Sequence, residues 1–170
     1  IAGAGDANTW GKIVDGLADA NAAIAKRTTI FLNDGTSEKV EIAAFPQGCS
    51  LNYLTKGRTK ASMGLPAGAM IFNIGIKSVI GLKQICNISV RPSYQTLTRR
   101  IDERKIPAWE YVFESTGFNV NIKAGQFIFL GPLASSKQEV LPSVGWSIFS
   151  SQKNAGRIKF CLIVCGLIKD

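Results

Sequence analysis

The chain has 170 residues and no histidine, with 46% hydrophobic and 19% charged residues, enough apolar content for one ordinary core and too little charge for a disordered chain. Without histidine there is no Ser-His-Asp triad, no Cys-His dyad, no histidine-containing zinc site and no HExxH protease. Twenty Lys and Arg against twelve Asp and Glu give +8, a balance that attracts phosphate.

The leading segment, 8–27, carries Trp10, Ile13, Val14, Leu17 and Ile24 at helical spacing, with Asp15 and Asp19 on the other face. Asp6 or Asn8 caps its start, and Lys26 and Arg27 complement the negative end of the dipole. Gly11 and Gly16 each weaken it by about 1 kcal/mol relative to Ala, so the helix needs a surface to lie on.

Beyond Thr28 the pattern changes to short β-branched and aromatic runs separated by Gly, Pro, Asn and Ser. The expected strands are 28–32, 39–45, 50–55, 69–76, 83–90, 109–114, 118–123, 126–130, 144–149 and 157–163. The clearest alternates Phe118, Val120 and Ile122 with Asn119, Asn121 and Lys123, then turns at Ala124-Gly125. Asn33-Asp34-Gly35 marks a hairpin between the first two strands. The polar segment 96–106 reads as a short helix or an exposed loop, closed by Pro107.

The expected fold is mainly β: a single domain with an N-terminal amphipathic α-helix (1–27) and an antiparallel β-sandwich (28–170), a jelly roll being the alternative. Cys49, Cys86, Cys161 and Cys165 form no CxxC pair and read as buried free thiols. No stretch of about 18 apolar residues is present, so no ordinary membrane-spanning helix is expected. The chain starts at Ile1 rather than Met, which suggests a processed mature protein whose targeting segment is no longer visible.

No phosphate loop, GxGxxG turn or nucleophile elbow occurs. Glu110 and Glu114 are the carboxylate pair an acid/base enzyme would need, yet neighbouring acids more often pair with Lys or Arg. The expectation is therefore a non-enzyme with no cofactor and no metal.

The charge is uneven: −2 over 1–54, +8 over 55–105 and +2 over 106–170. The middle third holds Lys56, Arg58, Lys60, Lys77, Lys83, Arg91, Arg99, Arg100, Arg104 and Lys105. Tyr94, Trp109 and Tyr111 lie among or beside them, and Tyr and Trp favour the headgroup layer where Arg and Lys bind lipid phosphate. Arg58, Lys60, Arg91, Tyr94, Arg99, Arg100, Trp109 and Tyr111 are thus the candidate lipid-phosphate residues. Trp10, Ile13, Val14, Leu17 and Ile24 form the candidate membrane-insertion face. The alternative partner is nucleic acid, with the same cations neutralising phosphate and the aromatics stacking bases, in a binding protein or a capsid-type jelly roll.

Ala25-Lys26-Arg27 leading to Ile30, and Tyr53 followed by Gly64-Leu65-Pro66-Ala67-Gly68-Ala69, resemble the actinoporins over about the first 75 residues. Those are pore-forming cytolysins with a helix preceding a β-sandwich, and the resemblance implies membrane lipids as partners, homo-oligomerisation and action at target membranes. Only the helix role carries over, to Trp10, Ile13, Val14, Leu17 and Ile24. The family's dense Trp/Tyr lipid site is missing, the stretch from Arg27 to Tyr53 is shorter, and four cysteines stand where the family usually has none.

Overall fold

A computed structural model describes residues 2–24, 26–57, 59–82, 84–96, 99–101, 104–106, 108–131, 143–149 and 158–166. The chain is mainly β with antiparallel sheets and an N-terminal helix. Strand β1 (Ala2–Gly5) leads directly into helix α1 (Ala7–Asp19). Asp6 caps the helix: its carboxylate accepts from the Thr9 N–H at 3.1 Å and the Thr9 hydroxyl at 2.8 Å, and the Thr9 hydroxyl accepts the Asp6 N–H. The helix ends at Asp19, and Asn21 then takes a positive φ of 54°. The expected run to Arg27 is thus too long: Ile24, Lys26 and Arg27 lie beyond the helix and cannot serve its dipole.

The main sheet joins β2 (Ser37–Phe45), β5 (Gly68–Ser78), β6 (Ile85–Thr96) and β10 (Phe118–Lys123), with β9 (Glu110–Val112) also on β6. Along β6, Cys86, Ile88, Val90, Pro92, Tyr94 and Thr96 are buried and point one way. Pro92 sits where β10 ends and β9 has not begun. Its carbonyl accepts from the Phe113 N–H on that side, so the missing proline N–H falls in the gap between the two neighbours.

Strands β3 (Cys49–Leu54) and β4 (Lys60–Leu65) form a separate hairpin. Strand β11 (Phe127–Leu130) leaves the main sheet at the 124–125 turn and pairs with β1 on one side and β12 (Cys161–Val164) on the other. Helix α2 (Val144–Phe149) packs beside β3. One core cluster unites Phe72, Val90 and Ile122 of the main sheet with Leu51, Leu65, Ile128, Leu130, Val144 and Ile148.

Four sequence expectations differ from this structure. The 28–32 segment is not a strand; Ile30 and Leu32 touch the core as single side chains. The 144–149 segment is helical, because Ser143 offers its hydroxyl to the Trp146 N–H and its carbonyl to the Ser147 N–H. The expected 157–163 strand shrinks to β12, with Ile158 in a lone bridge. The polar 96–106 stretch contains β7 (Arg99–Ile101) and β8 (Arg104–Ile106), paired antiparallel. Strands β1 and β4 are additional to the expected set.

Candidate functional site

Strand β1 exits at Gly5, opposite Phe127, so α1 begins at the end of the molecule where the 124–125 turn links β10 to β11. A Cβ at Gly5 would collide with the Phe127 ring, so glycine is what lets that ring lie over the backbone. Trp10 stands edge-on to Phe127. Trp10 is 40% exposed and Val14 41%, and Ile13 and Leu17 are half-buried. None of the four belongs to the core cluster or the partly buried shell around it. Ile24 is almost fully exposed, off the helix.

The aromatic and basic candidates divide between two faces. Tyr94 points inward on β6 and is 0% exposed, its hydroxyl donating to the Pro66 carbonyl at 2.5 Å. This corrects its assignment as a lipid contact: strand parity places it with Val90 and Cys86, away from any surface partner. Burial, followed by the neighbouring Cys49, pushes its phenol above the usual tyrosine range.

Tyr111 is half-buried in a cluster with Tyr53 and Phe113, at centroid distances of 5.5 and 5.0 Å. The 3₁₀ turn Glu114–Thr116 docks on the β3–β4 hairpin through the Ser115 hydroxyl, which donates to the Leu54 carbonyl, and through Lys56 and Glu114 at 3.9 Å. Lys60 lies on the same hairpin, opposite Leu54. Trp109 is exposed just before β9, its backbone N–H donating to the Thr96 hydroxyl.

Arg91 is exposed on the other face of the main sheet, in register with Asn73. Two residues along that face, Ser93 and Asn73 are hydrogen-bonded; Asn73 also donates to Glu110, which pairs with Lys39. Desolvation raises the Glu110 carboxyl, and the opposing hydrogen bonds from Lys39, Ser93 and Asn73 outweigh it, leaving a lowered pKa. Glu110 and Glu114 therefore each have a lysine of their own.

Arg58 lies outside the described residues. For Arg99 and Arg100 the backbone is described, in β7. Of the described cations, Lys56 and Lys60 share the β3–β4 hairpin, Arg91 occupies the sheet face, Lys77 lies toward the far end of β5, and Arg99, Arg100, Arg104 and Lys105 stand on the β7–β8 pair, so they are divided among several elements.

Sequence reasoning missed Ile80 and Leu82, large apolar side chains exposed in the β5–β6 turn, and Phe31, exposed ahead of β2. The expected strands 69–76 and 83–90 left 77–82 between them; what went unread was that the apolar side chains of that connection face solvent. Gly81 marks the turn itself.

Among the described residues no helix is long and apolar enough to cross a membrane. Comparison with protein-family models, with curated proteins and with solved structures finds no match for this chain.

Proposed function

We propose that the protein binds membrane surfaces bearing phosphate headgroups and that α1 exchanges its resting place for the bilayer interface. The observation that carries this reading is the light attachment of α1: an aromatic edge contact at Trp10, with Trp10 40% and Val14 41% exposed. Apolar side chains gain a comparable ~1.5–3 kcal/mol each on full burial in protein or lipid, so a helix that is only partly buried has more to gain from a membrane.

The thirteen residues of α1 extend about 20 Å, short of a hydrocarbon core of about 30 Å. The helix therefore suits an in-plane position. Pore formation, as the actinoporin resemblance implies, requires the helix to lengthen through 20–27 and several copies to assemble. Action at a target membrane after secretion belongs to the same reading. Lys12, Asp15 and Asp19 leave α1 slightly acidic, so attraction to phosphate falls to the β body.

The test is binding to and dye release from vesicles of defined composition, with Val14→Asp/Leu17→Asp as the helix variant. Substitution is preferable to removing 1–27, which would also take β1 off the edge of β11. Binding and release by the parent chain, lost in the variant while the β body stays folded, support the reading. No binding to any anionic or sphingomyelin-containing vesicle overturns it.

A second reading, nucleic-acid binding, is favoured by the register of β7 and β8. Ser93 pairs with Val112 and Gln95 with Glu110, while Arg99 pairs with Ile106 and Arg100 with Lys105. The pairing sum is constant, so β7–β8 continues the β6–β9 hairpin past the point where β5 stops pairing, at Thr96. A basic two-stranded ribbon fits the major groove of a duplex. A gel shift that weakens steeply with salt would favour this reading.

A further inference from the structure

The β5–β6 connection contains a tight turn at 79–82. The Leu82 N–H donates to the Val79 carbonyl at 3.1 Å, and Gly81 has a φ of 81°, the conformation that a type II turn requires at its third residue. Ile80 therefore occupies the projecting second position and is 98% exposed, with Leu82 exposed beside it. Turn tips of soluble proteins favour Pro, Asn, Asp, Ser and Gly. Here the hydrogen-bonded turn holds a branched aliphatic side chain out in water, where it contributes nothing to the fold.

Two described lysines flank this tip on one face of the sheet. Lys77 is exposed two residues before Val79 and pairs across the ladder with Asn87. Lys123 is exposed at the end of β10, in register with Ile85, the first residue of β6 after the turn. Neither forms an ion pair among the described residues. Lys83 adds a third positive charge in the sequence. The acids at this end include Asp34, whose carboxylate accepts the Ser78 N–H, a hydrogen bond that holds its pKa low with a smaller contribution from Lys77, and Asp6, whose carboxylate is engaged by Thr9 at the start of α1. Phe31, almost fully exposed, lies three residues before Asp34, within a chain reach of about 10 Å.

The same end carries α1. Lys123 leads through the 124–125 turn to Phe127, opposite Gly5 and against Trp10. We infer that the β5–β6 tip is the docking point for an anionic bilayer: Ile80 and Leu82 enter the acyl boundary while Lys77 and Lys123 meet lipid phosphate. The inference rests on the membrane reading above and deepens it, naming the element that makes first contact and places α1 over the lipid. Charge complementarity selects the occupant, since an apolar tip flanked by lysines matches a surface that is anionic outside and hydrocarbon beneath.

The experiment uses the whole chain in co-sedimentation with phosphatidylcholine vesicles, with and without phosphatidylserine, at low and physiological salt. The parent chain binds the phosphatidylserine vesicles more tightly. Ile80→Ser/Leu82→Ser lowers partitioning at least about tenfold, and each of Lys77→Ala and Lys123→Ala lowers it about fivefold at low salt. Thermal melts of all variants match the parent, because the altered side chains are exposed. Binding by the parent that survives Ile80→Ser/Leu82→Ser unchanged overturns the tip assignment alone and leaves the membrane reading standing. A parent chain that binds no vesicle overturns both. Self-association that Ile80→Ser/Leu82→Ser abolishes, with vesicle binding unaltered, assigns the tip to a second copy and also overturns the inference.

Discussion

Trp10 meets Phe127 edge-on, with ring centroids 5.4 Å apart and planes inclined at 66°. The two rings are unequal partners: Phe127 is 2% exposed, and Trp10 remains substantially in solvent. Phe127→Ala should therefore cost about 3–5 kcal/mol, whereas Trp10→Ala should cost less, about 2 kcal/mol, from the partial burial of its ring together with the edge contact. Urea denaturation measures both. Equal losses would show α1 to be part of the core.

Glu110 links stability to acid. Its folded pKa is depressed, so its contribution is present above the ordinary glutamate value, about 4.3, and is lost as pH falls through the folded pKa. Glu110→Gln and Lys39→Ala should each flatten that acid limb, by less than about 1 kcal/mol because Lys39 is half exposed. Denaturation midpoints between pH 3 and pH 7 check this. An unaltered acid limb in both variants would mean the network contributes nothing to stability.

Tyrosine titration should run in the opposite direction. Burial raises the Tyr94 phenol, and hydrogen bonding with Tyr53, followed by burial, pushes Tyr111 up to about 12. Raised acids stabilise the fold below the unfolded value of about 10 and lose that contribution as pH rises through the folded pKa. Phenolate absorbance at pH 11 should fall well short of the chain's three tyrosines and complete only on unfolding. Tyr94→Phe removes the hydrogen bond to the carbonyl of Pro66, an exposed residue that water can reach, and should cost about 0.5–1.5 kcal/mol.

Burial, reinforced by the adjacent Cys165, pushes the Cys86 thiol up to about 11. Cys86 should stay unmodified by iodoacetamide at pH 8 in the native protein and react once the chain unfolds. Peptide mass spectrometry reads this directly; rapid native labelling of Cys86 would contradict its placement between β10 and Cys165.

The parts of the fold legible in the sequence are those where one pattern sets the structure alone. Strand β10 matches its expected span because Phe118, Val120 and Ile122 alternate strictly with polar residues. The helix start was readable from Asp6, yet its end was not, because Ala20-Asn21-Ala22 carries no stronger stop than the asparagine that turns there. Strand β1 is Ala-Gly-Ala-Gly, with no strand preference of its own; pairing with β11 and the ring over Gly5 define it. Helix α2 is β-branched and aromatic in composition, and its cap and burial override that preference.

For the site, Tyr94 could have been placed inside by extending the Cys86, Ile88, Val90 alternation through Pro92. The connection holding Ile80 was legible as the gap between the expected strands 69–76 and 83–90, but nothing in its letters says that Ile80 and Leu82 project into solvent rather than fold back on the core. Charge clustering along the sequence became clustering in space only in part: the β7–β8 pair keeps Arg99, Arg100, Arg104 and Lys105 together, whereas β5 and β6 run past each other and carry Lys77 and Arg91 to different rows of the sheet.

The most direct test of the proposed exchange follows Trp10 itself. In a chain with Trp109→Phe and Trp146→Phe, Trp10 is the remaining tryptophan, and its emission can be recorded with vesicles containing brominated phospholipid. Exchange of α1 into the bilayer predicts a blue shift and strong quenching of Trp10 on binding. Vesicle-bound protein whose Trp10 emission stays unshifted and unquenched would contradict the account.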